Sequence, residues 1–203
     1  MTFAGGPVSI VLAVMAVAAV VIFFERFFEL RRAQVDWQYF VDGVLNVLER
    51  GNVDEALANC EEEAVPVASV VAAAIRHRDA SARVLKESVD SQGRAEIGRL
   101  NRRLAALAII GQISPLLGLL GTVIGFIRTV MLVNSQPLVS RADLLGASMD
   151  ALVSAALGLV VAIPVVVMYG SLCVRLDRIS TDLEAAASHV VGYFAARKEK
   201  ERQ

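Results

Sequence analysis

Residues 104–127 read LAALAIIGQISPLLGLLGTVIGFI, a run of 24 residues without a charged side chain. A helix of this length, at about 1.5 Å of rise per residue, crosses the roughly 30 Å hydrocarbon core of a bilayer. Residues 8–24, VSIVLAVMAVAAVVIFF, are also free of charge, and residues 144–174 carry one acid, Asp150. The three runs predict an all-α membrane protein with three transmembrane helices.

The basic residues predict how these helices are oriented. Of the 20 Lys and Arg residues, 12 lie in 25–103, six in 175–203, two in 128–143 and none in 1–7. Basic residues concentrate in the cytoplasmic loops of membrane proteins. We therefore expect 25–103 and 175–203 in the cytoplasm, and the N-terminus and the 128–143 loop outside.

The two cytoplasmic segments show helical patterns. Gly51 suits a helix end, Asn52 suits the cap of the next helix, and Pro66 suits a first turn. Residues 81–103 lack a strong helix breaker and lead directly into the second span. We expect the second and third spans to extend as long helices into a cytoplasmic helical bundle, with 175–203 forming its C-terminal helix.

Small residues recur along the second and third spans. Membrane helices pack closely through small residues, because lipid is as apolar as leucine. This pattern predicts a packing face between the two spans, with kinks at the prolines. The residues concerned are Gly111, Pro115, Gly118, Gly121 and Gly125 in the second span, and Gly158 and Pro164 in the third.

Asp150 is the most informative polar residue of the spans. A carboxylate inside a membrane is costly and marks a pathway or a partner, although a later start of the span would place Asp150 among the headgroups. Ser154 lies one turn deeper. Thr122 is a hydroxyl residue deep in the second span, and either lines a pathway or bonds back to a carbonyl of its own helix.

Composition excludes several classes of function. The net charge of −1 gives no field that favours nucleic acid. The two cysteines predict free, packed thiols, and His77 and His189 lie too far apart to suggest a metal site. The string GLLGTVIG lacks the G-K-[ST] ending of a phosphate loop. We expect no enzymatic activity, cofactor or metal.

Two motifs resemble those of a known family. The stretch PLLGLLGTVIGFI (115–127) resembles the second-span signature of the MotA/TolQ/ExbB proton-channel family. The stretch DALVSAALGLVVAIPVV (150–166) resembles its third-span signature, roughly E-A-L-x-x-T-A-x-G-L-x-x-A-I-P. Three spans rather than four favour the ExbB/TolQ branch over MotA.

The resemblance implies a homopentamer around a dimer of an ExbD/TolR-like single-span partner. It further implies a proton-channel subunit of a bacterial inner-membrane motor, which passes work to a TonB/TolA-like protein for outer-membrane transport or envelope processes. The N-terminus would be periplasmic and the C-terminus cytoplasmic. Thr122 matches the family's second-span threonine, and Asp150 takes the place of the usual glutamate.

One departure from the family pattern concerns the third span. Ala155 occupies the position of the family's threonine, and Ser154 lies about 100° around the helix from it. The expected ion pathway thus comprises Thr122, Asp150, Ser154 and Ala155, and the coupling ion stays open. The alternative is a non-conducting scaffold that anchors a partner complex. A transporter is disfavoured because three spans show no internal repeat.

Overall fold

The computed structural model describes residues 6–33, 36–63, 65–135 and 141–201. Over these ranges the chain forms six helices and no strand, which confirms the all-α prediction. The helices are α1 (Gly6–Ala33), α2 (Trp37–Glu49), α3 (Val53–Glu62), α4 (Pro66–Arg76), α5 (Ala82–Ser135) and α6 (Arg141–Glu201).

Three of these helices, α1, α5 and α6, are long and apolar enough to cross a membrane. This confirms the prediction of three spans. Helices α5 and α6 contain 54 and 61 residues, so each continues well beyond its apolar run, as expected for the second and third spans.

Helices α5 and α6 both extend into the segment between the second and third spans. The 128–143 segment, expected as a loop, is helical up to Ser135 and again from Arg141. Apolar residues such as Val130 and Val133 support this continuation of α5. The rest of this loop, and most of the predicted N-terminal segment 1–7, lie outside the described residues.

The chain divides into two compact units. The membrane unit comprises the described part of 1–26 together with 104–171, and the extramembrane unit comprises 27–103 together with the described part of 172–203. Each long helix contributes to both units, with its apolar run in the membrane unit.

Local signals explain the short helices of the extramembrane unit. A side-chain oxygen of Asp36 accepts a hydrogen bond from the backbone N–H of Gln38 and caps the start of α2. Gly51 has a φ of +85°, a backbone conformation that glycine adopts readily, and it separates α2 from α3. Pro66 occupies the first turn of α4, as predicted. Asn52 precedes α3, but its amide donates to the carboxylate of Glu55 instead of capping the backbone.

Helix α6 supplies a continuous buried stripe to the extramembrane unit. Large apolar side chains recur on it every three or four residues, the spacing of one helix face. They are Leu172, Leu176, Ile179, Leu183, Val190 and Phe194, with Ala186 among them. The ring of His189 meets Trp37 of α2 edge to face, and the ammonium of Lys198 donates to the carbonyl of Ala80.

Candidate functional site

In the membrane unit, helices α5 and α6 meet backbone to backbone. A Cβ placed on Gly158 would lie 2.8 Å from the Cα of Gly118 and 2.8 Å from the carbonyl oxygen of Ser114. A Cβ on Gly118 would lie 3.1 Å from the carbonyl oxygen of Ser154. At Gly158 only hydrogen fits, and at Gly118 a methyl group would push the backbone of α6 away, so the two glycines set the closeness of the helices.

The same contact line continues on both sides of this crossing. A Cβ on Gly111 would meet Val166, one on Gly121 would meet the side chain of Ser154, and one on Gly125 would meet Ala151. Positions further along α5 face earlier positions on α6, so the two helices run antiparallel along this line. We call it the glycine seam: it contains Gly111, Gly118, Gly121, Gly125 and Gly158.

Prolines and hydroxyls lie in and beside the glycine seam. Pro115 is half-buried beside it, whereas Pro164 is exposed, and both are interior to their helices. Ser114 is fully buried in the seam, and its Oγ donates to the carbonyl of Ile110 at 2.7 Å. Ser154 is also buried, and its Oγ donates to the carbonyl of Asp150 at 3.0 Å. These two serines are therefore satisfied within their own helices.

Thr122 directly follows Gly121 of the seam and is half-buried. Its Oγ1 donates to the carbonyl of Leu119 at 2.6 Å, the local bond that the sequence offered as an alternative to a pathway role. A hydroxyl has one proton to donate and two lone pairs that accept. The local bond uses the proton, so the oxygen of Thr122 keeps its capacity to accept a hydrogen bond.

Asp150 and Ala155 lie on different sides of α6. They are five residues apart, which corresponds to about 140° around an α-helix. Ala155 is half-buried beside the seam, and its carbonyl oxygen would lie 3.3 Å from a Cβ on Gly118. Asp150 is exposed. The structure therefore brings Thr122 and the Ala155 side of α6 together around the seam, but does not bring Asp150 into the same group.

A groove of about 500 Å³ runs along the Thr122 side of the glycine seam. Its lining is apolar apart from three hydroxyl side chains, which belong to Thr122, Thr129 and Ser148. The apolar lining residues are Val123, Phe126, Ile127, Ala151 and Leu152. Asp150, Ser154 and Ala155 are absent from this lining.

The sequence of residues 62–185 matches the profile of the MotA/TolQ/ExbB proton channel family. This match spans α4, α5 and most of α6, including both helices of the glycine seam. The chain belongs to the MotA/TolQ/ExbB proton channel family. The family expected from the two motifs is thereby confirmed.

Relatives in this family carry both ExbB and TolQ names. The chain is 32% identical to an ExbB-like biopolymer transport protein of Synechocystis, over 79% of this chain and 77% of that protein. It is 30% identical to the biopolymer transport protein ExbB of Salmonella typhimurium, over 68% of this chain and 66% of that protein. It is 33% identical to the Tol-Pal system protein TolQ of Haemophilus influenzae, over 43% of this chain and 38% of that protein.

Family membership and three apolar helices make the chain a multi-pass inner-membrane protein of the MotA/TolQ/ExbB channel type. The polar side chains that line the groove are hydroxyls, and the rest of its lining is apolar. Among the described residues, no three His, Cys, Asp or Glu side chains are grouped so as to hold a metal ion.

Reasoning from the sequence missed Thr129 and Ser148 as site residues. A signal for them was present, because each lies seven residues, or about two helical turns, from a position that the family motifs single out. Thr129 follows Thr122 by seven residues and Ser148 precedes Ala155 by seven.

Proposed function

We propose that this chain is the channel-forming subunit of an ion-driven motor of the inner membrane. In this proposal it assembles as a homopentamer around a dimer of an ExbD/TolR-like single-span protein. Ion flow down the membrane gradient turns the two parts relative to each other, and a TonB/TolA-like protein receives the work for outer-membrane transport or envelope processes.

The observation that carries the proposal is the placement of the two family motifs on one helix pair. Helices α5 and α6 meet along the glycine seam, and Thr122 lies beside it on a groove within the membrane unit. Polar groups inside a membrane face a bundle interior or a water-filled path instead of lipid. A groove lined by three hydroxyls favours a path completed by other helices, as a pentamer around a partner would supply.

Thr122 has a defined role in this proposal. The family resemblance places the proton-accepting aspartate on the partner's helix, and Thr122 would offer its hydroxyl oxygen to the water or ion next to it. Because its proton is held by the carbonyl of Leu119, Thr122 presents an acceptor towards the groove. An acceptor stabilises a cation or a hydronium ion on the path.

Asp150 takes a separate role. It is exposed on another side of α6, and a carboxylate near the membrane requires a partner or water. We assign its contact to a neighbouring subunit of the pentamer, at the edge of the path. The excess of basic residues in 25–103 and 175–203 supports a cytoplasmic extramembrane unit and a periplasmic N-terminus.

Single substitutions of Thr122 and Asp150 test the proposal. Thr122→Val keeps the shape of the side chain and removes the hydroxyl, and Asp150→Ala removes the carboxylate. Proton flux is measured in inverted membrane vesicles that contain the chain with its co-purified single-span partner. We expect each variant to assemble and to lose at least about tenfold in flux, because a hydrogen bond to a charged group contributes about 1.5–3 kcal/mol.

Thr181→Val is the matched control for Thr122→Val. Its hydroxyl also donates to a carbonyl of its own helix, that of Asp177, but lies in the extramembrane unit. We expect its flux to equal that of the unmodified chain. If Thr122→Val and Asp150→Ala both assemble and both conduct normally, the ion-path role is wrong and the non-conducting scaffold is the better description.

A further inference from the structure

The third span lacks a hydroxyl where the family motif has threonine, and the groove shows where hydroxyls lie instead. Ala155 contributes only a methyl group at that position. Ser154, the adjacent hydroxyl, is 2% exposed and donates to the carbonyl of Asp150 within the seam. Ser154 therefore does not present its hydroxyl to the groove.

Two other hydroxyls lie on the groove, one on each helix. Thr129 on α5 and Ser148 on α6 line it together with Thr122. Thr129 lies seven residues after Thr122, and Ser148 lies seven residues before Ala155. Seven residues correspond to about two turns and about 10 Å along an α-helix, with only about 20° of rotation.

The seven-residue steps from Thr122 to Thr129 and from Ala155 to Ser148 lead towards the same end of the membrane unit. Helices α5 and α6 run antiparallel along the glycine seam, so a later position on α5 faces an earlier position on α6. Gly118 faces the Ala155 region, and Gly125 faces Ala151. Continuing this register, Thr129 and Ser148 belong to the same level, two turns from the level of Thr122 and Ala155.

We propose that Thr129 and Ser148 are lining residues of the ion path in this chain, and that Ser148 supplies the third-span hydroxyl that Ala155 lacks. This proposal rests on the proposed channel function and adds residues that the family motifs do not contain. The hydroxyl lining is then displaced towards the end of the spans that carries the 136–140 connection. Thr129 donates its proton to the carbonyl of Gly125 at 3.0 Å, so its oxygen, like that of Thr122, acts as an acceptor.

Flux measurements on hydroxyl variants test the proposal in the complex with the single-span partner. Thr129→Val and Ser148→Ala are each expected to lower the proton flux on the order of fivefold, since one hydrogen bond contributes about 1 kcal/mol. Ser171→Ala is the matched control, because Ser171 is an exposed serine of α6 that donates to the carbonyl of Met168 and lies outside the groove. We expect Ser171→Ala to conduct normally.

A rescue variant separates a lining role from a structural one. Ala155→Thr restores the family's hydroxyl, and in the Ser148→Ala background it is expected to recover most of the lost flux. If the flux stays low, Ser148 does not stand in for that hydroxyl and the proposal is overturned.

Water access provides a second measurement that does not depend on flux. Cys60→Ala and Cys173→Ala remove the native thiols, and single cysteines are then placed at Thr129, Ser148 or Val160. Val160 is 65% exposed on α6 and lies outside the groove lining. Because a thiol reacts as its thiolate, which needs water, a charged thiol reagent should label the first two positions and leave Val160→Cys unlabelled.

The outcomes distinguish failure of this proposal from failure of the channel function. Loss of flux in Thr122→Val together with normal flux in both Thr129→Val and Ser148→Ala overturns the extended lining and leaves the channel intact. Normal flux in all three variants overturns both. Equal labelling at Ser148→Cys and Val160→Cys also overturns the extended lining, because it shows no selective water path.

Discussion

Buried residues recur at the same spacing along α6 in both units, but they are mostly small in the membrane unit and large in the extramembrane unit. In the membrane unit its buried stripe includes Ser154, Gly158, Ala162 and Val165, whereas in the extramembrane unit it includes Leu176, Ile179 and Leu183. The buried positions recur every three or four residues in both stretches. One helix face is therefore maintained along α6, while the way in which it packs changes.

The solvent around each unit explains the difference. In water, burying a large apolar side chain stabilises the fold by about 1.5–3 kcal/mol, so large residues fill the interior of the extramembrane unit. In lipid the same side chain gains little by moving to a protein interior, and close approach of small residues stabilises the helix pair instead. Many large side chains of the membrane unit accordingly lie outside: Leu116, Leu119, Leu152, Leu159 and Ile163 are all exposed, whereas Leu12, Leu104 and Leu107 are buried.

The largest effect is expected from a bulky side chain in the glycine seam. Gly158→Leu places its Cβ 2.8 Å from the backbone of Gly118, and rigid backbone on both sides leaves no room for it. Overpacking costs about 1–3 kcal/mol in ordinary cores, and here the first atom of the side chain already collides. We expect the variant to lose its compact membrane unit, measured as resistance to proteolysis after purification in detergent.

Gly170→Leu is the control for this prediction. Gly170 lies on the same helix and also in the membrane unit, and a Cβ placed there would meet no atom within 4 Å. We expect unchanged proteolysis. Equal resistance of Gly158→Leu and Gly170→Leu would show that the seam does not hold the two helices together.

A second prediction concerns the removal of a large side chain from each unit. Leu183→Ala removes a side chain that is 2% exposed in the extramembrane unit, and the resulting cavity should cost about 2–5 kcal/mol. Leu159→Ala removes the same atoms from an exposed position of the membrane unit, where the expected cost is within about 0.5 kcal/mol. Thermal unfolding of the purified proteins compares the two. Similar losses of stability in the two variants would contradict the proposed difference in packing between the two units.

The sequence predicted the elements of the fold because they depend on local patterns. Uncharged runs set the three spans, Pro66 and Gly51 set helix ends, and the absence of breakers set the length of α5. The register of α5 against α6 does not follow from such patterns, since every glycine of the second span could serve as a contact. The structure alone pairs Gly118 with Gly158.

The same limit applies to the candidate site. Thr122 was identified as a hydroxyl deep in the second span and also from the family motif, and its bond to a carbonyl of its own helix was foreseen as an alternative. Thr129 and Ser148 were missed because each reads as an ordinary polar residue near a span end. Only the antiparallel register places these two, one from each helix, on one groove with Thr122.

The smallest of the three effects concerns Cys60 in the extramembrane unit. The pKa of this thiol is raised from an ordinary 9.0 to about 11, chiefly by burial; the carboxylate of Glu61 also raises it, and the guanidinium of Arg76 lowers it. The charged thiolate is therefore disfavoured in the folded unit until the pH passes about 11. At pH 8 a pKa of about 11 in place of 9.0 reduces the thiolate fraction roughly hundredfold, and alkylation should slow by the same factor relative to an unfolded thiol.

The measurement uses Cys173→Ala, so that only Cys60 reacts. We expect the alkylation rate to rise about tenfold per pH unit from pH 8 to 10 and to level near 11. Arg76→Gln removes the cation that favours the thiolate and should slow the reaction further, whereas Glu61→Gln should accelerate it. A rate that already levels near pH 9 would show that water reaches Cys60 and that the extramembrane unit does not exclude it.

Leu183→Ala, which loosens that unit, should accelerate alkylation of Cys60, while Leu159→Ala should leave the rate unchanged. The reason is that large side chains in the interior of the extramembrane unit, and not those of the membrane unit, keep water from the thiol.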